Sequence, residues 1–274
     1  VAPPCMRVGI RAVCWQSGTY CLSEEGEVWY FGSGGFLEPT KLCFTDQRIV
    51  DISCGANEGT VTFLTEMGEV WIGERGDTAQ PIDCPPLAMI QSGDYHQVGI
   101  DFDQQLWVFG SNAEEQLGVV EKMVTKPVVH PSFRTKVEIV ACGTLHTLVS
   151  SVDGDVYAFG NNTFGQLGVG DFLSRHEPTK ITLHIGERIQ AIACGTDHTV
   201  IQSIEGNCYV AGSNHQSQLT PHVLRKTWRN FEKLEEVSCE VEYISCCDYA
   251  TIFVDTFGRL LVHGSVRSRD RRNP

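Results

Sequence analysis

The sequence contains no long hydrophobic run. No stretch approaches the roughly 20 apolar residues that a membrane-spanning helix needs, so we expect no membrane insertion. Basic residues are also few, with 21 Lys and Arg against 34 Asp and Glu and a formal net charge of −13. Such a chain is repelled by a polyphosphate backbone, which argues against a nucleic-acid partner. An amino-terminal signal pattern is absent as well.

Motifs for covalent or metal chemistry are absent too. The chain has no Gly-x-Ser-x-Gly motif, no phosphate-binding loop and no Cys-x-x-Cys pair, and the adjacent Cys246 and Cys247 make a poor metal site. We therefore predict no catalytic residues, no metal site and no cofactor.

What the sequence does contain is a recurring unit. Six short β-rich segments each end at a glycine, and these glycines are 37 to 52 residues apart: Gly32, Gly73, Gly110, Gly160, Gly212 and Gly264. A recurrence of about 20 to 50 residues is typical of a solenoid, a propeller or another repeat array, in which no unit can bury its apolar face alone.

The clearest unit runs from Val137 to Gly170. An apolar strand ends at Cys142-Gly143, a second strand precedes the turn Asp153-Gly154, a third strand ends at Gly160, and a proline-led fourth strand follows near 178–182. Four short strands per unit, with almost no helical periodicity, predict an all-β fold of propeller blades.

These residues resemble the regulator-of-chromosome-condensation repeat family. The resemblance rests on Cys-Gly-x-x-His-Thr at 142–147 and 194–199, on the Asp-Gly turn, and on an Asn-x-x-x-Gln-Leu tail that recurs at Asn112, Asn162 and Asn214. It covers nearly the whole chain and implies an RCC-like β-propeller, a fold that usually has seven blades in this family.

The repeat count predicts six blades in one domain over residues 1–265, followed by a charged tail at 266–274. The sixth unit lacks a fourth strand, and Pro3–Val8 lies where a proline-led strand is expected, so we expect this amino-terminal segment to complete the last blade. Loss of a seventh blade at the ends of the chain is the alternative. Because the chain begins at Val1, we expect it to be a domain of a larger protein.

Five of the 12 cysteines occupy one repeat position, the small slot before the first loop: Cys14, Cys54, Cys142, Cys194 and Cys246. Free cysteine behaves there as a small buried hydrophobe, and equivalent positions on different blades are not expected to pair. This pattern predicts reduced thiols and a cytoplasmic or nuclear setting.

Each loop between the first two strands of a unit should lie on one face of the disc. In the exchange-factor members of the family, acidic and histidine side chains of these loops meet a small GTPase, which the resemblance transfers to matching positions here. The candidate partner-binding residues are Asp94, His96, Asp197, His198, Asp248 and Tyr249, together with Trp15, which replaces a glycine beside the same face. The competing interpretation of the histidines is structural, with each one bonding the backbone of its own blade.

Two segments depart from the repeat. Glu114–Lys126 lies in a place comparable to the wedge-like insertion of the family's exchange factors, but it is short and lacks a wedge signature. Pro221–Glu235 has apolar residues at helical spacing, which predicts a short surface helix in place of a strand.

The resulting prediction is a non-catalytic protein-interaction module in a regulatory or signalling protein. The alternative is a guanine-nucleotide exchange factor for a small GTPase. A secreted enzyme inhibitor is disfavoured by the cysteines.

Overall fold

The computed structural model describes residues 11–15, 18–32, 38–55, 60–74, 79–183, 187–237 and 241–265. Within these ranges every regular element is a β-strand, and the strands form six antiparallel sheets. No helix of this described part is long and apolar enough to cross a membrane. The chain is an all-β propeller with six blades, which confirms the predicted fold class.

The strands follow one another blade by blade. Blade 1 holds β1 (Arg11–Trp15), β2 (Gly18–Leu22), β3 (Val28–Gly32) and β4 (Thr40–Leu42). Blade 2 holds β5 (Ile49–Cys54), β6 (Thr60–Thr65), β7 (Val70–Glu74) and β8 (Gln80–Pro81). Blade 3 holds β9 (Leu87–Ser92), β10 (His96–Asp101), β11 (Leu106–Ser111) and β12 (Met123–Val129). Blade 4 holds β13 (Val137–Cys142), β14 (His146–Ser151), β15 (Val156–Gly160) and β16 (Arg175–Lys180). Blade 5 holds β17 (Ile189–Cys194), β18 (His198–Ser203), β19 (Cys208–Ser213) and β20 (Thr227–Lys233). Blade 6 holds β21 (Val241–Cys247), β22 (Tyr249–Asp255) and β23 (Leu260–Ser265).

The first strand of each blade is innermost. From β1 through β21, each first strand packs beside the first strand of the next blade, and the other strands of each sheet follow outward in chain order. The sixth sheet has three strands within the described residues, and Leu260, Leu261 and Val262 of its last strand are exposed. The expected closing strand at Pro3–Val8 and the tail at 266–274 lie outside the described residues.

The backbone angle and the close packing at the end of the third strand both require glycine in blades 3, 4 and 5. Gly110, Gly160 and Gly212 have φ angles of 105°, 103° and 102°, which side chains rarely adopt. A Cβ atom on Gly110 would lie 2.6 Å from the carbonyl oxygen of Tyr95, in the first loop of the same blade. The repeat glycine therefore lets the two loops of a blade lie against each other.

The structure corrects the helix predicted for one departing segment and shows that the other follows the repeat. Pro221–Glu235 forms no helix: Thr227–Lys233 is the fourth strand of blade 5, where Trp228 is buried and pairs with Gly212. Glu114–Lys126 is not an insertion, because it contains the ordinary loop between third and fourth strands and the start of β12. In Pro221–Glu235 the pairing edge of β19 outweighs the local helical pattern.

Candidate protein-binding site

Two sets of loops share one face of the propeller. Because consecutive strands of a blade are antiparallel, the loop after the first strand and the loop after the third strand emerge on the same side. Hydrogen bonds join them: the N–H of Ser111 donates to the carbonyl of Tyr95 at 2.7 Å, and the N–H of Ser213 donates to that of Asp197 at 2.7 Å. We call this side the upper face, and the side with the turns between second and third strands the lower face.

A cavity of about 420 Å³ opens where the innermost strands reach the upper face. Its wall is made by the ends of first strands and the residues that follow them. The lining residues include four thiols of the repeat position, at Cys54, Cys142, Cys194 and Cys246. These cysteines are half-buried, so the expectation that they are fully buried core residues is wrong. The side chain of Cys14 is outside the described part of the structure.

Two of the three predicted aspartates line this cavity. Asp94 is buried and Asp248 is half-buried, and each is the first loop residue after the small pair that ends its inner strand. Asp197 comes one position later in its own loop and is half-buried, while Thr196 takes the cavity-lining position. The three loops thus share the upper face, but Asp197 is not equivalent to the other two aspartates.

The remaining candidates are placed differently. Tyr249 is half-buried beside Asp248, and the matching Tyr95 of blade 3 is 36% exposed. Tyr95 was not among the predicted residues. Its place directly before the repeat histidine was the only feature of the sequence that could have marked it as a loop residue on this face. Trp15 ends β1, and its side chain is not described.

The repeat histidines are interior residues that join blades. His96, His146 and His198 are fully buried, and each Nε2 lies 2.9 to 3.1 Å from the hydroxyl of a threonine in the next blade. The partners are Thr147, Thr199 and Thr251 in that order. The expected bond to the backbone of the same blade is therefore wrong, and His96 and His198 have no surface with which to meet a partner.

We call each of these histidine–threonine pairs a His–Thr latch. The other hydrogen bond of the threonine determines which group in the latch donates and which accepts. The Thr147 hydroxyl donates its one hydrogen to the carbonyl of Gln116 at 2.7 Å, so its oxygen accepts from the Nε2–H of His96. Thr199 and Thr251 donate in the same way to Gln166 and Gln218. Each threonine therefore makes two bonds to the preceding blade, and these bonds fix the position of neighbouring upper loops.

Burial controls the protonation of these groups. Loss of solvation lowers the pKa of His96 and His146 to about 3 and that of His198 to about 4, so all three are neutral at pH 7. Burial has the opposite effect on the thiols: it raises the pKa of Cys142 to about 12 and also raises the pKa of Cys194 and Cys246. The cavity therefore contains thiols rather than thiolates.

The fold and this face define a repeat propeller of the regulator-of-chromosome-condensation type. A family model described as the regulator of chromosome condensation (RCC1) repeat matches residues 103–150 and 153–202, and a second model with the same description matches 137–166. The central part of the chain therefore consists of repeats of the RCC1 type, as its sequence motifs predicted.

Individual relatives show the same likeness. The chain is 27% identical over 215 residues to the ultraviolet-B receptor UVR8 of Arabidopsis thaliana, covering 72% of this chain and 49% of that protein. It is 34% identical over 133 residues to the human X-linked retinitis pigmentosa GTPase regulator, covering 47% of this chain and 13% of the relative. It therefore spans less than half the length of these relatives.

Solved structures agree on the fold. A chain in the crystal structure of Kap60 bound to yeast RCC1 (Prp20) superposes with a TM-score of 0.82 at 19% identity, covering 93% of this chain and 70% of that chain.

Proposed function

We propose that this propeller is a non-catalytic protein-interaction module that holds a basic surface of a protein partner against its upper face. The observation that carries the proposal is the cavity, which Asp94 and Asp248 both line and whose described lining residues include no Lys, Arg or His. The net charge of −13 acts in the same direction, because it speeds the approach of a basic partner and disfavours an acidic one.

Preformed loops support this function. The N–H of Gly93 donates to the carbonyl of His96 at 2.8 Å, and the equivalent bonds close the loops at Gly143 and Gly195. With the His–Thr latches behind them, these loops lose little further freedom when a partner binds. Binding residues on loops held by a rigid scaffold are common in interaction domains.

The buried titratable groups favour a binding role over chemistry. Cys142, Cys194 and Cys246 are protonated because burial raises their pKa, and the latch histidines are neutral with Nε2 already bonded. Neither group is available as a nucleophile or as a base.

The test compares two triple variants of equal charge change. Asp94, Asp197 and Asp248 are replaced by alanine on the upper face, and the exposed Asp103, Asp153 and Glu205 are replaced by alanine in the lower-face turns. Each of the three proteins is used to capture binding proteins from cell extract. The partner is the protein that binds the wild type and the lower-face variant but not the upper-face variant. Its Kd should then rise at least about tenfold for the upper-face variant only, and the difference should shrink with added salt.

Circular dichroism must first show that both variants melt close to wild type, because Asp94 is buried and Asp197 and Asp248 are half-buried, so their replacement can also alter stability. Equal binding by all three proteins, or loss of binding in the lower-face variant alone, would refute the proposal.

A guanine-nucleotide exchange factor is the second candidate, favoured by the 34% identity to a protein named as a GTPase regulator. Against it, segment 114–126 forms an ordinary loop and strand rather than a wedge-like insertion. Release of a fluorescent guanine nucleotide from a panel of small GTPases distinguishes the two candidates, and we expect no acceleration by this chain.

We further propose that the propeller acts as one domain of a larger protein in the cytoplasm or nucleus. The nine cysteines that the structure describes are all free, which supports a reducing compartment. Its coverage of 13% and 49% of two relatives supports a domain role.

A further inference from the structure

The Asn-x-x-x-Gln-Leu tail of the repeat builds a loop held by one side chain. The Asn112 Oδ1 accepts from the N–H of Leu117 at 2.8 Å, while its Nδ2 donates to the carbonyls of Val119 and Glu121, both at 2.7 Å. Those two carbonyls flank a single residue, Val120. The asparagine is therefore a clamp that fixes the backbone on both sides of this residue.

The same clamp recurs in the next two blades. The Nδ2 of Asn162 donates to the carbonyls of Asp171 and Leu173, at 3.0 and 3.1 Å. The Nδ2 of Asn214 donates to the carbonyl of Thr220 at 3.0 Å and that of Arg225 at 3.4 Å. Each clamp thus holds the loop between the third and fourth strands of its blade.

The clamped loops expose apolar side chains. Val120 is 89% exposed, Leu173 is 68% exposed and Leu224 is 93% exposed. Single exposed apolar residues are ordinary on protein surfaces. Here, however, they recur in three consecutive blades, each in a loop held by the same asparagine. The fold gains no burial from these side chains, whereas the neighbouring Leu117 and Leu167 are fully buried.

The three loops lie side by side on the upper face. The Nδ2 of Asn161 in blade 4 donates to the Glu114 carboxylate of blade 3 at 3.3 Å. The ring of Phe164 in blade 4 meets that of His215 in blade 5 edge to face, with centroids 5.6 Å apart. The three loops that carry the exposed residues therefore form one continuous rim of the upper face from blade 3 to blade 5.

We propose that Val120, Leu173 and Leu224 form an apolar contact zone that binds an aliphatic patch on the same partner. This inference rests on the proposed function and narrows the partner's chemistry: its basic group faces Asp94 and Asp248, and an aliphatic collar beside that group meets the rim. Because the clamps hold the tips in place, contact requires little further ordering of the loops.

Charge favours a protein over a lipid surface as the occupant. Glu114 and Glu121 are exposed on the same loops, and the chain as a whole carries −13. Two arginines near the tips are compensated by ion pairs, Arg175 with Asp171 at 2.7 Å and Arg225 with Glu232 at 2.5 Å. The exposed Lys122 and Lys226 on the same loops give the rim charges of both signs, so it is the overall charge of −13 that disfavours an anionic lipid surface.

The lower face supplies a matched control. Val152 and Ile204 are 43% and 58% exposed, but they lie in the tight turns before Asp153 and Glu205, away from the cavity. Replacing them by serine removes apolar surface of a similar kind from the opposite side.

The probe is a random 12-residue peptide library displayed on phage and selected on the folded wild-type chain. Enriched peptides should combine Arg or Lys with neighbouring aliphatic residues. By biolayer interferometry, the Kd of an enriched peptide should rise at least about tenfold for Leu173→Ser with Leu224→Ser. It should rise similarly for Asp94→Asn with Asp248→Asn and stay unchanged for Val152→Ser with Ile204→Ser. Thermal melting of each variant near the wild-type temperature excludes unfolding as the cause.

Each other result has a defined meaning. Binding weakened by the aspartate pair but not by the leucine pair overturns the apolar zone and leaves the proposed function standing. Binding unaffected by both pairs, or enrichment of acidic peptides, overturns both. Failure to enrich any peptide sequence overturns the apolar zone. The apolar zone is also overturned if the wild-type chain sediments with vesicles of phosphatidylcholine and phosphatidylserine and the variant with Leu173→Ser and Leu224→Ser does not.

Discussion

Acidification should weaken the propeller through its three His–Thr latches. Each imidazole donates from Nε2 to a threonine, and its Nδ1 has no hydrogen-bond partner in the structure. Protonation of Nδ1 would place an uncompensated charge in a fully buried site. The folded-state pKa lies at about 3 for His96 and His146 and about 4 for His198, below the ordinary 6.5.

The sign and size of the effect follow from proton linkage. The unfolded chain binds these protons first, so stability that is present above about pH 6.5 is lost as pH falls from there toward the folded-state values. Between pH 7.5 and 5.5, a pKa of 6.5 in the unfolded chain gives a loss of a little over 1 kcal/mol for each histidine, or about 4 kcal/mol for three. That is a large share of the roughly 5 to 15 kcal/mol by which domains are stable.

The assay is denaturant unfolding followed by tryptophan fluorescence at pH 7.5, 6.5 and 5.5 at constant ionic strength. His146→Gln keeps an amide donor toward Thr199 but removes the titrating group. Between pH 7.5 and 5.5, the free energy of unfolding of this variant should therefore fall by about 1 kcal/mol less than that of the wild type. The exposed His176, changed to Gln, should leave the wild-type dependence unchanged. An identical pH dependence for wild type and His146→Gln would refute the reasoning.

Two further predictions concern the thiols and the ring closure. At pH 7.5, iodoacetamide followed by mass spectrometry should label the exposed Cys43 far faster than Cys142, because burial raises the pKa of Cys142 from 9.0 to about 12 and so lowers its thiolate fraction about a thousandfold; comparable rates would contradict the protonated-thiol interpretation. Deletion of Pro3–Val8 should lower the Tm and promote aggregation, because β23 has no outer neighbour among the described strands, while deletion of 268–274 serves as the control; an unchanged Tm would count against closure by this segment.

Local sequence was sufficient for the strands, turns and repeat count. The turn before Gly154 and the strand ends at Gly110 and Gly160 depend on backbone angles that neighbouring residues impose, so a short motif specifies them. The loop face was predictable for the same reason, because antiparallel order within each unit puts both loops on one side.

Packing between blades was decided only by the tertiary structure. The threonine partner of each latch histidine lies more than 50 residues along the chain, in the next blade. Thr147 and Thr199 belong to the repeated His-Thr motif, but the motif does not show that each one bonds the histidine of the preceding blade. The strand at Thr227–Lys233 forms because the edge of β19 offers unpaired backbone groups, which outweigh a helical pattern in the segment itself.

The candidate site divides in the same way. Sequence put Asp94, Asp197 and Asp248 in corresponding loops, but a shift of one position determines that two of them reach the cavity and the third does not. The exposure of Leu173 and Leu224 could not be predicted from the sequence either, since apolar residues in a repeat are usually buried. Which residues a loop turns outward depends on the asparagine clamp and the adjoining blade. Short-range chemistry thus determined the blades, and contacts between distant parts of the chain determined which residues they present.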